Sequence, residues 1–92
     1  MLERKVEKHL KDEVEKCGGL CLKWASPGVR GVPDRVIIKE GDEVIFVELK
    51  REGGVISPLQ KKMIKEMRER GAQVYVLEGM DQVEAFLDEV IR

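Results

Sequence analysis

Apolar positions recur every three to four residues near the start of the chain. Leu2, Val6, Leu10, Val14 and Cys17 fall on one stripe at about 100° per residue, which predicts a helix from Leu2 to Lys16, stopped by Gly18-Gly19. The period then changes to two. Leu20 to Trp24 alternates as a strand with Leu20, Leu22 and Trp24 on one face, and a turn-rich loop runs from Ser26-Pro27-Gly28 to Gly31-Val32-Pro33. Asp34 to Lys39 and Val44 to Lys50 read as two further strands, joined by hairpin chemistry at Glu40-Gly41-Asp42-Glu43. Ser57 as N-cap, Pro58 in the first helical position and Gln60 three after the cap start a second helix. Its apolar stripe is Leu59, Met63, Ile64 and Met67, and Gly71 is its stop. Gln73 to Glu78 is β-rich. A last helix follows, with Asp81 as its expected cap, Glu84 in the capping-box position, and Val83, Phe86, Leu87, Val90 and Ile91 buried. The order α-β-β-β-α-β-α predicts an α/β fold, a mixed sheet flanked by helices.

At 92 residues this is one domain, 1–92, with no repeat or linker. A chain of this size buries only about 60–65% of its unfolded surface, so a partner subunit would help its core. No apolar run approaches the roughly 18 residues of a membrane span. Met1 to Lys11 is charged rather than signal-like, and two cysteines are too few for a disulfide scaffold, so a reducing cytoplasm is expected. Cys17 and Cys21 read as a buried helix-end thiol and a strand residue, His9 as a helix-surface residue, and Trp24 as core or subunit contact. The net charge of −1 argues against a nucleic-acid partner only as a total. Glu78 to Arg92 holds five acids and one base, whereas Lys50 to Arg70 holds seven bases and three acids. A phosphate backbone responds to that local field.

The third strand carries chemistry. Alternation puts Val44, Phe46, Glu48 and Lys50 on one face and Ile45, Val47 and Leu49 on the other. A carboxylate and an amine on a sheet face are open to water, paired with each other, or held by a metal. Asp34 follows Gly31-Val32-Pro33 and starts the neighbouring strand, where it is either a turn cap or a partner for Glu48 across the hairpin. Two acidic oxygens and a backbone carbonyl suit a hard divalent cation such as Mg²⁺. Glu3 lies within the stripe of the first helix and Glu7 at its edge, but Glu13 also falls in the stripe, so the position alone is not diagnostic. Gln60 serves the capping box or the site. Lys61, Lys62, Lys65 and Arg68 face outward, towards phosphate or only water. Arg30 and Arg35 flank the Pro33-Asp34 pair and meet either phosphates or acids.

Together, Gly31-Val32-Pro33-Asp34 and Glu48-Leu49-Lys50 form a PD…ExK pattern that resembles the PD-(D/E)xK nuclease superfamily. The wider context, EKCGGLCLKWASPGVRGVPDRVII, then VIFVELKREGGVISPLQ, then RGAQVYVL, resembles the stand-alone form of the VRR-Nuc (virus-type replication-repair nuclease) family. The similarity runs from Glu3 to the last strand. It implies a restriction-endonuclease-like core and a homodimer that hydrolyses DNA with Mg²⁺ or Mn²⁺, leaving 5′-phosphate and 3′-hydroxyl ends. It implies Asp34, Glu48, the Leu49 carbonyl and Glu3 as metal ligands, with Glu7 a second candidate for the helix acid. Lys50 would be the catalytic lysine and Gln60 the motif glutamine. The candidates for DNA contact are Arg30, Arg35, Arg51, Lys61, Lys62 and Lys65. The expected substrate is branched DNA, above all the four-way (Holliday) junction, in a bacterial or phage-infected cell, with no membrane and no small-molecule cofactor involved. The competing expectations are a flap or restriction-type endonuclease with the same chemistry, and a non-catalytic DNA-binding module of the same fold.

Overall fold

The structure, a computed structural model, describes residues 3–41 and 43–92. Leu2, placed above on the first helix, and Asp42 of the hairpin turn lie outside the described residues. The elements are α1 (Glu3–Lys16), β1 (Leu20–Lys23), β2 (Arg35–Ile38), β3 (Val44–Lys50), α2 (Pro58–Glu69), β4 (Gln73–Glu78) and α3 (Gly79–Phe86). The last helix continues through Leu87–Ile91 in a widened turn, in which the Arg92 N–H reaches back five residues to the Leu87 carbonyl. The four strands lie in chain order; β1, β2 and β3 pair antiparallel, and β3 and β4 pair parallel. This is the predicted mixed sheet, and α2 makes the crossover that a parallel pair requires.

Strand alternation sorts the side chains into two layers. Ile37, Ile45, Val47, Leu49 and Leu77 pack with Val6, Leu10 and Val14 of α1 and with Val83, Phe86 and Leu87 of the last helix to form the core. Tyr75 joins it edge-on to Phe86. The opposite face of β4, with Val74 and Val76, is covered by α2; Ile64 and Val76 line one cleft there, and Arg68 donates twice to the Val74 carbonyl. Leu10 is fully buried at the centre of the α1 stripe. Leu10→Ala is expected to cost about 3 kcal/mol. A chain of this length has roughly 5–14 kcal/mol in all, so urea melts should show the midpoint fall sharply.

Three details of the sequence expectation are corrected, and the burial of the α2 stripe is resolved. The last helix starts at Gly79, two residues before the expected Asp81 cap, because Gly79 at φ 74° turns the chain directly out of β4; Glu78 occupies the cap position without a side-chain cap bond. Cys17 is exposed, since α1 ends at Lys16 and the chain leaves the helical period there; Cys21 is buried. Of the α2 stripe only Ile64 is buried, and Leu59 is largely exposed, because α2 covers just one side of the sheet. His9 is half-buried and pairs with Glu84, in a cluster where Arg92 also meets Glu13 at 2.6 Å, Asp88 at 2.6 Å and Glu84 at 3.2 Å.

Candidate active site

The hairpin register decides what faces what. Arg35 pairs with Val47 and Lys23 with Arg35, so one residue further Trp24, Asp34 and Glu48 form a row across three strands. The row is tied together by backbone donors. Trp24 N–H donates to the Asp34 carbonyl at 2.9 Å, Asp34 N–H to Glu48 Oε1 at 3.2 Å, and Leu49 N–H to Asp34 Oδ1 at 3.3 Å. Each carboxylate is therefore held by a main-chain N–H beside the other, with Glu48 inside β3 and Asp34 at the end of the loop, one residue before β2.

Glu48 is only 5% exposed, and three donors converge on its carboxylate. Besides the Asp34 N–H, Gln60 Nε2 donates to Oε2 at 2.9 Å and Lys50 Nζ approaches the same oxygen at 3.2 Å. Gln60 reaches it from the first turn of α2, where its Oε1 accepts from the Ser57 N–H at 3.0 Å while its own N–H donates to Ser57 Oγ at 3.1 Å. The two readings left open for Gln60 are both realised. One end of the amide completes the capping box and the other braces Glu48. Gly31 makes the same helix end approachable, for its φ is 90° and a Cβ there would lie 2.5 Å from the Leu59 carbonyl oxygen.

Asp34 is half-buried and its pKa is raised from 3.8 to about 6, first by desolvation and then by the adjacent Glu48 charge; the Leu49 N–H and Arg35 pull the other way. Two neighbouring carboxylates in a partly dry site are an arrangement that a cation relieves. Among the described residues, no three His, Cys, Asp or Glu side chains form a ready metal cage. Mg²⁺ needs none, since it binds through one or two carboxylates and keeps several waters. Asp34, Glu48 and the Leu49 carbonyl fit that donor set.

The other predicted residues divide. Glu3 is exposed and lines a neighbouring cavity of about 270 Å³ with Leu49, Arg51, Glu52, Met80 and Asp81; it is not hydrogen-bonded to the Asp34–Glu48 pair. Glu7 meets Arg35 at 3.3 Å and adds to the negative field on Asp34. Arg35 is corrected as a DNA contact. It is 5% exposed and shares the parity of Ile37, so its guanidinium is turned into the α1 layer and tied to Glu7. That parity was the available signal in the sequence. Arg30, Arg51, Lys61, Lys62 and Lys65 are exposed, and Lys61 and Lys65 flank the cleft of about 400 Å³ between α2 and the loop at Ile56.

Comparison with known proteins matches the VRR-NUC domain family to residues 4–81, most of the chain. The chain belongs to the VRR-NUC family. This VRR-NUC domain is 43% identical over 79 residues to "Putative nuclease p44" of Acyrthosiphon pisum secondary endosymbiont phage 1, a match spanning 86% of this chain and 85% of that protein. It superimposes on a solved structure described as a VRR_NUC domain with a TM-score of 0.89 at 32% identity, over 96% of both chains. A second solved VRR_NUC domain protein, at 19% identity and a TM-score of 0.75 over 99% of this chain and 88% of that one, shares the fold. The PD…ExK resemblance is thereby placed in a nuclease family. No helix among the described residues is long and apolar enough to cross a membrane.

Proposed function

We propose that this VRR-NUC domain is a metal-dependent endodeoxyribonuclease that cuts branched DNA, with the four-way junction as its preferred substrate, and that it acts as a homodimer. The observation that carries the reading is the Glu48 carboxylate, buried beside Asp34 with Lys50 and Gln60 on its outer oxygen. A divalent ion at this site supplies Lewis acidity and a nucleophile near neutral pH. Asp34, Glu48 and the Leu49 carbonyl would hold it, with Glu3 contributing from the adjoining cavity.

The remaining steps belong to the chain. Lys50, 21% exposed along its side chain, stands where an ammonium can orient the attacking water or offset charge gathering on the phosphoryl oxygens. Gln60 keeps Glu48 from rotating, so the carboxylate is preorganised before DNA arrives. The exposed bases Arg30, Arg51, Lys61, Lys62 and Lys65 suit phosphate contacts that register shape without reading base sequence.

The test is a panel of synthetic four-way junction, flap, duplex and single-stranded DNA, with Mg²⁺, with Mn²⁺ and with chelator. Junction nicking that leaves 5′-phosphate ends, lost with chelator and lowered by about 10²–10³-fold in Lys50→Ala, is expected. Preferential flap cutting would move the substrate assignment to a flap nuclease. Binding without cleavage of any substrate would leave a DNA-binding module and overturn the enzyme.

A further inference from the structure

The turn that follows the Glu48-Leu49-Lys50 strand is held from outside, by the end of β4. Parallel register sets Lys50 beside Glu78, as it sets Glu48 beside Val76, so the Glu78 side chain starts on the same sheet face as the lysine. Directly after Lys50 the chain turns back on itself. Gly54 N–H donates to the Arg51 carbonyl at 2.8 Å, and Gly53 takes φ 78° inside that turn, a left-handed value that glycine adopts without strain. The turn lies close on Lys50: a Cβ at Gly54 would stand 3.4 Å from Lys50 Cβ and 2.9 Å from the Arg51 carbonyl oxygen. Two contacts then fasten it to β4. Gly53 N–H donates to Glu78 Oε1 at 2.8 Å, and the Glu52 side chain lies over Gly79, where a Cβ would come within 2.7 Å of Glu52 Cγ. Glu78 is itself fixed, since its N–H donates to Gln82 Oε1 at 2.8 Å near the start of α3.

We propose that Glu78 is a positioning residue for the cleavage reaction: it clamps the turn after β3 and thereby fixes Lys50 against Glu48. The proposal rests on the nuclease reading above and adds to it a residue from outside the PD…ExK pattern. The need for a clamp follows from where Lys50 stands. β3 ends at Lys50, so it is the last residue that the sheet orders, and its ammonium rides on a flexible four-carbon stem. Its Nζ nevertheless lies 3.2 Å from Glu48 Oε2, and its side chain is only 21% exposed. Gly54 packs against the base of that stem, and it keeps its place only while the turn is held. A carboxylate on β4 suits the task, because it accepts from Gly53 N–H and needs no proton of its own. Glu48 does not depend on the clamp, for Asp34 N–H and Gln60 Nε2 hold it from the other side. Loss of Glu78 would therefore loosen the ammonium and leave the Asp34–Glu48 pair where it is.

Amide hydrogen exchange, without DNA or metal, tests the clamp itself. The Gly53 amide of the wild type, and of Glu78→Gln, which keeps an acceptor oxygen, is expected to exchange roughly 10-fold or more slowly than a free peptide amide. In Glu78→Ala that protection should vanish. Steady-state cleavage of the four-way junction then tests the role. Glu78→Ala should lower kcat by about 10–100-fold with KM unchanged, the mark of an interaction made only in the transition state, while Glu78→Gln stays close to the wild type. Because Glu78 acts through Lys50, adding Glu78→Ala to Lys50→Ala should cost nothing further. Mn²⁺ affinity, read by calorimetry, should be the same in the wild type and both Glu78 variants. Should Glu78→Ala fail to fold, Glu78→Asp keeps the charge but withdraws the acceptor by one methylene, and the same losses are expected. An unprotected Gly53 amide in the folded wild type, a loss that adds to that of Lys50→Ala, or a weakened Mn²⁺ affinity would each overturn the proposal. The exchange measurement reads no cleavage, so a protected Gly53 in a protein that cuts no DNA would refute the nuclease reading and leave the clamp standing.

Discussion

Asp34→Asn is expected to lower DNA cleavage by about 10³-fold or more while making the metal-free protein more stable at neutral pH. The two effects have one cause. Asp34 sits in a half-dry site beside Glu48, and its pKa of about 6 lies above its ordinary 3.8, so the folded state disfavours its ionised form. Below about pH 4 the carboxyl is protonated folded or unfolded and there is no penalty. The penalty grows as pH rises through that range and is complete above about pH 6, where asparagine, which carries no charge, escapes it. Thermal melts in chelator should therefore show the variant ahead of the wild type at pH 7–8, with the gap closing towards pH 4. Adding Mg²⁺ should stabilise the wild type and leave the variant unmoved. A variant that loses activity and stability together would instead mean that Asp34 holds the loop in place, with no cation site behind it.

Gly31→Ala is expected to lower cleavage by about 10²-fold, in line with the loss from a displacement near 1 Å at a catalytic group. Its φ of 90° already disfavours a side chain, and the new Cβ would meet the Leu59 carbonyl carbon at 2.8 Å and its oxygen at 2.5 Å. The loop leading to Asp34 and the first turn of α2 cannot both stay where they are. Since Gln60 is the next residue along that turn and donates to Glu48, the variant shifts the carboxylate brace as well. The measurement is cleavage against Mg²⁺ concentration, with circular dichroism as a check on the fold. A shifted metal dependence in a folded protein supports the mechanism, and unchanged cleavage would show that the loop and the helix end move independently of the site.

Much of this was legible because the local rules agree with the tertiary outcome. Ser57-Pro58-Leu59-Gln60 fixes the start of α2 by cap chemistry alone, and Gln73 to Glu78 is β-rich with a glycine on either side, so both elements appear where the pattern puts them. The pairing of Asp34 with Glu48 follows from counting back through the hairpin. What failed needed knowledge of which layer covers what. The stripe on α2 was legible as apolar, but not how much of it the sheet would cover; Ile64 is buried against β4 and Leu59 stays out. Arg35 was open to phosphates or acids beside the motif; its parity with Ile37 turns it inward, and the placement of α1 supplies Glu7 as its partner. The fork at Gln60 was undecidable in one dimension because a single amide has two ends, and both are used.

The polarity of β3 has a consequence for how this domain can be altered. Its seven residues run from Val44, beside the tight turn after Ile38, to Lys50 in the site, a distance of about 20 Å. The catalytic groups therefore all sit at one end of the strand. A fluorescent label or an affinity handle placed at the other end, clear of the exposed Ile38 and Val44 side chains, would ride on the same strands as the carboxylates without crowding the scissile phosphate. Its movement would report faithfully on where the catalytic end has gone.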